Sequence, residues 1–150
     1  MTTFFAFLHH VAAFALVAAL TVELVLMRGE LNAAAMRRLA RADMAVGISA
    51  LVLLLAGLAR VFHFEKGAAY YFHSWPFIGK LSLFILVALL SIYPTVKFVG
   101  WGRAVRRGEV PSVDAATARR LRTILHTELA AIIPIVLFAA MMARGVGFFG

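Results

Sequence analysis

The 150-residue sequence contains no cysteine. This absence excludes disulfides, iron–sulfur clusters and thiolate metal sites, and it also excludes covalent c-type heme, which needs a Cys-x-x-Cys-His motif. Catalytic signatures are lacking as well, since no Ser–His–Asp arrangement, phosphate-binding glycine loop or His-Glu-x-x-His zinc motif can be recognised. Acidic residues are few, with seven against fifteen lysines and arginines. The function must therefore be sought in residues outside the established enzyme motifs.

Long apolar segments are what the chain has in excess. Hydrophobic residues make up 63% of it, whereas soluble domains are about half apolar. A membrane-spanning helix needs about 20 mostly apolar residues, and four runs approach this length, at residues 4–27, 45–61, 76–98 and 124–142. The first run is longer than the usual core of a secretory signal, so we expect it to be retained. The runs predict an all-α integral membrane four-helix bundle, formed as a single domain over residues 1–150 within the lipid bilayer.

Positive charge is concentrated in two of the three connections between these runs. Eleven of the fifteen basic residues follow the first or the third run: Arg28, Arg37, Arg38, Arg41, Lys97, Arg103, Arg106, Arg107, Arg119, Arg120 and Arg122. The positive-inside rule predicts that both connections are cytoplasmic and that both termini lie on the outer, periplasmic side of a bacterial inner (cytoplasmic) membrane. The same distribution argues against nucleic acid as a partner, and a basic rim suits contact with anionic lipid head groups.

The three connections differ in composition. Residues 28–43 are rich in helix formers and are predicted to be helical. Residues 63–75 form the one substantial outer connection, and their aromatic side chains suit a membrane interface. Residues 100–122 contain helix-breaking glycine and proline, and the segment from Ser112 to Asp114 then offers N-cap candidates for the last helix.

Ionisable side chains occur inside the apolar runs. A charged group there costs about 2.5–3.5 kcal/mol on insertion scales, so it needs a partner or a function. Counting inward from the cytoplasmic ends, at about 1.5 Å per residue, gives two polar layers. The outer layer contains His9, His10, Arg60, His63, Lys80 and Met141. The inner layer contains Glu23, Ser49, Tyr93 and His126.

Helical periodicity selects which of these side chains face the interior. Glu23 must face inward because lipid cannot solvate it, and His9 lies within about 40° of the same face. His10 points away, so His9 is the preferred inner histidine. In the third run, one face carries Lys80, Phe84, Val87, Ser91 and Thr95. In the fourth run, His126 is expected inside and Glu128 outside. The face of His126 also carries Ala130, Ile133, Leu137 and Met141.

The outer layer suggests a cofactor site. Neutral imidazole ligates iron or copper, so His9 is the candidate metal ligand for a b-type heme. A second axial ligand is available among the other members of that layer: His10, His63, Met141 and deprotonated Lys80. Arg60 is placed to pair with heme propionates. The plainer interpretation is that His9 is a buried histidine satisfied by a hydrogen bond.

Three residues are candidates for catalysis, namely Lys80, Glu23 and His126. Glu23 and His126 could form a proton relay with Tyr93, and the alternative is a structural hydrogen bond between the first and fourth helices. Lys80 could bind a substrate carboxylate or act as a base. The alternative for Lys80 is a lysine whose side chain extends to the membrane surface.

Five longer segments of the chain resemble a known protein family. The chain resembles a family of uncharacterised bacterial four-span membrane proteins in five segments: FLHHVAAFALVAALTVELVLMR, RRLARAD, RVFHFEKGAAYYF, GKLSLFILVALLSIYPT and ILHTELAAIIP. This similarity covers nearly the whole chain and implies the four-span fold. More remotely, the chain is similar to HemJ-type protoporphyrinogen oxidases, and more loosely to CopD-type copper-resistance membrane domains.

HemJ-type proteins have four spans, with a heme-associated histidine in the first and a lysine in the third. The resemblance implies these roles for His9, in the LHH segment, and for Lys80, in the GKL segment. The fourth span departs from the HemJ-like Asn-Glu-x-Pro pattern, because HTELAAIIP keeps only Glu128. The implied function is electron transfer or HemJ-like oxidase activity, with a quinone or tetrapyrrole substrate.

Two other functions remain open. The chain could be a non-catalytic accessory or assembly subunit of a membrane complex. It could also handle copper through His9, His10 and the Met141–Met142 pair. A bundle of four short helices buries a modest area, so self-association into a homo-oligomer is one possible arrangement and a place in a larger membrane complex is the other.

Overall fold

The protein is all-helical in the computed structural model, which describes residues 2–64 and 68–149. The elements in chain order are α1 (Thr2–Leu26), α2 (Ala33–Ala59), a π-helical turn (Arg60–Phe64), α3 (Ala68–Phe72), α4 (Trp75–Arg106) and α5 (Ala115–Ala143). The described residues contain no strand, and an isolated bridge between Ser74 and Phe148 is their one extended pairing. The predicted all-α bundle of four long helices is confirmed.

The four long helices are each long and apolar enough to cross a membrane. The candidate spans are Thr3–Leu26, Ala33–His63, Trp75–Arg106 and Ala115–Ala143. Their outward surfaces carry large apolar side chains such as Phe14 and Ile133, which are 76% and 74% exposed. Apolar surface exposed on this scale marks a region that contacts a membrane or a partner.

α2 is longer than the sequence predicted. It begins at Ala33, capped by Asn32, whereas the second apolar run begins at residue 45. The arginine-rich segment and the apolar segment are therefore one continuous helix. The arginines of this segment lie on the exposed side, while Met36, Leu39 and Asp43 are buried. Asp43 was expected in the connection, and this placement was wrong because the amphipathic helix carries it into the bundle.

α5 begins at the predicted cap. The Asp114 carboxylate accepts hydrogen bonds from the Thr117 hydroxyl at 2.7 Å and from the Thr117 backbone N–H at 2.8 Å. These two bonds hold the pKa of Asp114 below its usual value. An anionic side chain at this position also complements the positive end of the helix dipole. The N-cap prediction is confirmed.

The four long helices form a closed ring, in which α1 packs on α2, α2 on α4, α4 on α5 and α5 on α1. The main hydrophobic core lies at one end of this ring, where α1 and α4 end and α2 and α5 begin. There Leu39, Phe98, Leu121 and Leu125 are completely buried. We call it the basic end, because the eleven clustered lysines and arginines of the sequence surround it. Its assignment to the cytoplasm stays a prediction.

At the opposite end, the C-terminal segment is bound to the connection before α4. The Trp75 backbone N–H donates to the Gly147 carbonyl at 3.2 Å, and the Phe149 N–H donates to the His73 carbonyl at 2.9 Å. Gly147 has a φ of +82°, and a Cβ at this position would collide with the Trp75 indole. The aromatic connection predicted over residues 63–75 is thus attached to the chain end, although residues 65–67 lie outside the described part.

α2 and α4 cross closely at Gly102. A Cβ added to Gly102 would lie 2.7 Å from the Cβ of Ala40, well inside the optimal separation of about 3.5–4.0 Å between carbon atoms. We expect Gly102→Ala to push the helices apart and to lower the free energy of unfolding by about 1–3 kcal/mol. The measurement is thermal unfolding of the purified protein in detergent.

Gly100→Ala is the matched control on the same helix, because a Cβ at Gly100 would meet nothing within 4 Å. Alanine is a better helix former than glycine by about 1 kcal/mol, so this variant should be neutral or slightly more stable. An equal loss of stability in both variants would contradict the close crossing.

Candidate functional site: a buried carboxyl cluster

Three carboxyl side chains from three different helices are buried inside the bundle. Glu23 on α1 and Glu128 on α5 are each 1% exposed, and Asp43 on α2 is 6% exposed. We call these residues the interior carboxyl cluster. The sequence predicted an interior position for Glu23, which is confirmed, but it placed Glu128 outside the bundle and Asp43 in a connection.

α4 supplies hydroxyl donors to two members of the cluster. The Ser91 hydroxyl donates to Glu128 Oε1 at 2.6 Å, and the Thr95 hydroxyl donates to Asp43 Oδ1 at 2.7 Å. Ser91 and Thr95 are four residues apart, so they lie on the same face of the helix in successive turns. The face predicted to point inward is therefore the one that contacts the carboxyl groups.

Glu23 is the third member, and one of its oxygens lacks a partner. Glu23 Oε1 is buried without a hydrogen bond, although the side chain lies within electrostatic reach of Asp43 and Glu128. A buried polar atom left unsatisfied costs about 1–3 kcal/mol. Such atoms are rare in native proteins and often mark a catalytic role or a bound species. The cluster thus contains one buried carboxyl oxygen for which the described residues supply no hydrogen-bond partner.

The cluster is not arranged as a metal site. Within residues 2–64 and 68–149, no group of three or more His, Cys, Asp or Glu side chains converges to hold a metal ion. The donors to Asp43 and Glu128 are neutral hydroxyls, which stabilise a buried carboxylate less than a cationic partner would. Burying several carboxylates together without cations is costly. The chemistry that this arrangement suits is protonation of the carboxyl groups, and two of these groups are each hydrogen-bonded to a hydroxyl of α4.

A small cavity adjoins the cluster. Its volume is about 50 Å³, and residues from all four long helices line it. Its wall is almost wholly apolar: Leu16, Phe84 and Ile135 are among its lining residues, and Ser91 and Glu128 line it with hardly any polar surface. A water molecule needs about 10–15 Å³ of such volume and polar partners. The cavity therefore has the volume for a few water molecules, but its apolar wall offers few of the polar partners that ordered water needs.

His126 does not belong to this interior, and its predicted orientation was wrong. It is exposed, with Nε2 at 3.2 Å from Arg28 Nη2 and Nδ1 at 2.6 Å from the Arg122 carbonyl. The Tyr93 ring instead faces the Arg120 guanidinium, at 4.6 Å from the ring centroid. The predicted relay of Glu23, His126 and Tyr93 is therefore not assembled, and Glu128 takes the inner place on α5.

The face of α5 was misjudged because its apolar side chains surround the helix. Ile133 and Leu137 were expected inside but are 74% and 57% exposed. The buried residues of this helix are Leu121, Ile124, Leu125 and Glu128. Their spacing of three and four residues defines one helical face, so the apolar residues Leu121, Ile124 and Leu125 were the signal that could have located Glu128.

The structure brings together three residues of the predicted outer layer, namely His9, Arg60 and Lys80. His9 Nδ1 lies 3.2 Å from the Leu53 carbonyl, and a Cβ added to Gly57 would lie 3.4 Å from the His9 ring. Lys80 and Arg60, both half-buried, are within electrostatic reach of His9. The expectation that His9 faces the bundle is confirmed.

The other candidate ligands have different surroundings. His10 is exposed, and its Nδ1 lies 2.6 Å from the Ala6 carbonyl of its own helix. His63 is exposed in the π-helical turn, and Met141 is half-buried near the end of α5. Whether His9 or any of these residues binds a metal stays a prediction.

The family model for predicted membrane proteins named DUF2214 matches residues 1–147. The chain belongs to the DUF2214 family. This confirms the resemblance to a four-span membrane family, and the family description states a membrane location without an activity. No curated protein and no solved structure shows significant similarity to the chain. The remoter resemblances to HemJ-type and CopD-type proteins stay predictions.

The Ser91–Glu128 hydrogen bond should contribute measurably to stability. We expect Ser91→Ala to lower the free energy of unfolding by about 1–3 kcal/mol, because it leaves a buried carboxyl oxygen without its donor. Ser82→Ala is the matched control, since Ser82 is exposed on the same helix. Thermal unfolding in detergent compares the two, and indistinguishable stabilities would show that the bond contributes nothing.

Proposed function

We propose that this integral membrane protein conducts protons through its bundle, with the interior carboxyl cluster as the relay. The observation that carries the proposal is the burial of Glu23, Asp43 and Glu128 inside a bundle of candidate membrane spans, with hydroxyl partners from α4 and one oxygen without a partner. Ionisable residues within spans are rare, and chains of Asp, Glu and His typically serve proton transfer in pumps and transporters.

Protons suit this site better than a metal ion. A metal would need several ligands around one point, and the described residues do not offer such a group. A proton needs only two oxygens at hydrogen-bond distance, which the Ser91–Glu128 and Thr95–Asp43 pairs supply. Protonation also removes the charge that makes a buried carboxylate costly.

The cavity supplies a continuation toward the other end of the bundle. It begins at Ser91 and Glu128 and extends to Phe84. Phe84 lies four residues from Lys80, which corresponds to about 6 Å along the helix. Lys80 in turn is within electrostatic reach of His9. The proposed path therefore runs from the cluster along this cavity to the outer polar layer, and proton transfer across the apolar part of the cavity requires water that enters it transiently.

The test is proton flux into vesicles that contain the purified protein and a trapped pH-sensitive dye. An imposed pH gradient with a potassium ionophore, to prevent charge build-up, should give faster internal acidification than in protein-free vesicles. We expect Glu128→Gln to slow this flux about tenfold or more, because a positioned proton-transfer group typically contributes a factor of about 10²–10⁴.

Glu109→Gln is the matched control, since Glu109 is an exposed carboxylate that pairs with Arg107 on the surface. It should leave the flux unchanged. A wild-type rate equal to that of empty vesicles would refute proton conduction. Equal proton flux through Glu128→Gln and wild-type protein would show that the interior carboxyl cluster is not on the proton path.

Heme binding through His9 is the second candidate, with electron transfer or HemJ-like oxidation of a quinone or tetrapyrrole as the activity. The contact of His9 Nδ1 with the Leu53 carbonyl favours it. A metal-binding histidine usually donates its other ring N–H to a carbonyl or carboxylate, and this arrangement leaves Nε2 as the ligand atom. Arg60 and Lys80 would supply positive charge for propionates.

The interior cavity sets a limit on this candidate. Its volume of about 50 Å³ is far below the roughly 300–1,000 Å³ of small-molecule sites. A porphyrin does not fit there, and the His9 ring itself lies close to Gly57 of α2. Heme bound through His9 would therefore need space outside this cavity.

Optical spectra of the purified protein supplied with hemin test the heme candidate. If His9 is the ligand, a Soret band and a redox difference spectrum appear and are lost in His9→Ala. His10→Ala should keep both, because His10 is exposed and bound to its own helix. Wild-type protein without a Soret band after hemin addition would exclude heme.

The remaining functions stay predictions. Copper handling through His9, His10 and the Met141–Met142 pair would give stoichiometric copper by metal analysis. An accessory or assembly role would give neither proton flux nor a heme spectrum, and it would be supported by co-purification of a defined membrane complex.

A further inference from the structure

A groove lined by three arginines lies between α2 and α4 at the basic end. Its volume is about 200 Å³, and its lining residues are Arg37, Ala40, Arg41, Met44, Gly102 and Arg106. The three arginine side chains are exposed. The groove is separate from the interior carboxyl cluster, because no residue of that cluster lines it.

The helix crossing explains why the three arginines meet. Arg37 and Arg41 are four residues apart on α2, so they lie on one face. Gly102 lets α4 approach Ala40 closely, and Arg106 follows one turn later. The groove therefore gathers positive charge from both helices around a single opening.

No carboxylate lines the groove, and the described residues show no ion pair of its three arginines. Of the acidic residues at this end, Glu109 pairs with Arg107, Asp114 caps α5 and Asp43 binds Thr95 inside the bundle. Glu30 is exposed in the connection before α2 and does not line the groove. Like charges four residues apart are destabilising on a helix. An anion bound between the guanidinium groups would relieve this repulsion.

The chemistry of the groove fits a phosphate group attached to an acyl chain. Guanidinium groups bind phosphate oxygens through paired N–H donors. Met44 and Ile48 continue the face of Arg41 toward the apolar part of α2, and they are 64% and 58% exposed. The surface thus changes from cationic to apolar in the direction of the membrane interior, as the head and tail of a lipid do.

We propose that this groove is a binding site for the phosphate head group of an anionic phospholipid. The groove binds one lipid at the edge of the bundle, with its phosphate between Arg37, Arg41 and Arg106 and its acyl chain along Met44.

The test compares two triple variants that lose the same charge. The groove variant is Arg37→Gln, Arg41→Gln, Arg106→Gln. The control variant is Arg38→Gln, Arg103→Gln, Arg119→Gln, whose arginines lie at the same end outside the groove. Each protein is purified in a neutral detergent and titrated with phosphatidylglycerol, and bound lipid is counted by native mass spectrometry.

We expect one tightly bound phosphatidylglycerol on wild-type protein, with the affinity lowered about tenfold or more in the groove variant and by less than about threefold in the control. Phosphatidylcholine, whose phosphate is offset by choline, should bind weakly to all three. Equal weakening in both triple variants would overturn the proposal, since it would indicate diffuse attraction to the basic end.

A second measurement separates the lipid from free phosphate and guards against misfolding. Inorganic phosphate should compete poorly, and competition at concentrations equal to those of the lipid would overturn the assignment to a lipid. The single variant Arg41→Gln should give an intermediate loss at wild-type thermal stability. The site would also be contradicted if Arg41→Gln kept full lipid affinity and the groove variant lost lipid binding only because it was unfolded.

Discussion

The hydrogen bonds from α4 to the buried carboxyl groups determine how the helices can be oriented. In a bilayer, the apolar surface of each helix would be solvated equally well in any rotation about its axis, so hydrophobic burial selects no orientation. Asp43 and Glu128 remove this freedom, because lipid cannot satisfy a carboxyl group. Thr95 and Ser91 then fix the faces that α2 and α5 turn toward α4.

Close backbone approach is the second constraint. Gly102 allows α4 to lie against Ala40, and Gly57 allows the His9 ring to lie against α2. Small residues at helix contacts are typical of membrane bundles, where close packing replaces the hydrophobic effect as the source of association. The same crossing that tightens α2 against α4 also collects arginines at the bundle surface. A packing requirement in the interior therefore creates a charged groove outside.

The sequence predicted the large features of the fold because these follow from composition and charge. Four apolar runs gave four spanning helices, and periodicity from Glu23 correctly selected His9 over His10. Glu128 and Asp43 escaped prediction for two different reasons. The apolar residues of α5 surround the helix, so periodicity could not distinguish the lipid face from the interior. Asp43 follows a run of arginines, and that run was interpreted as a connection although α2 is continuous through it.

The bond between the C-terminal segment and the start of α4 has a consequence for motion. α4 and α5 are joined at the basic end by the connection over residues 107–114, and at the other end through Trp75 and Gly147. These two helices are thus tied at both ends and should move as one rigid body. α1 packs mainly on α2 and only lightly on α5. The α1–α5 contact is therefore the weakest side of the ring, and we expect local opening of the bundle to begin there.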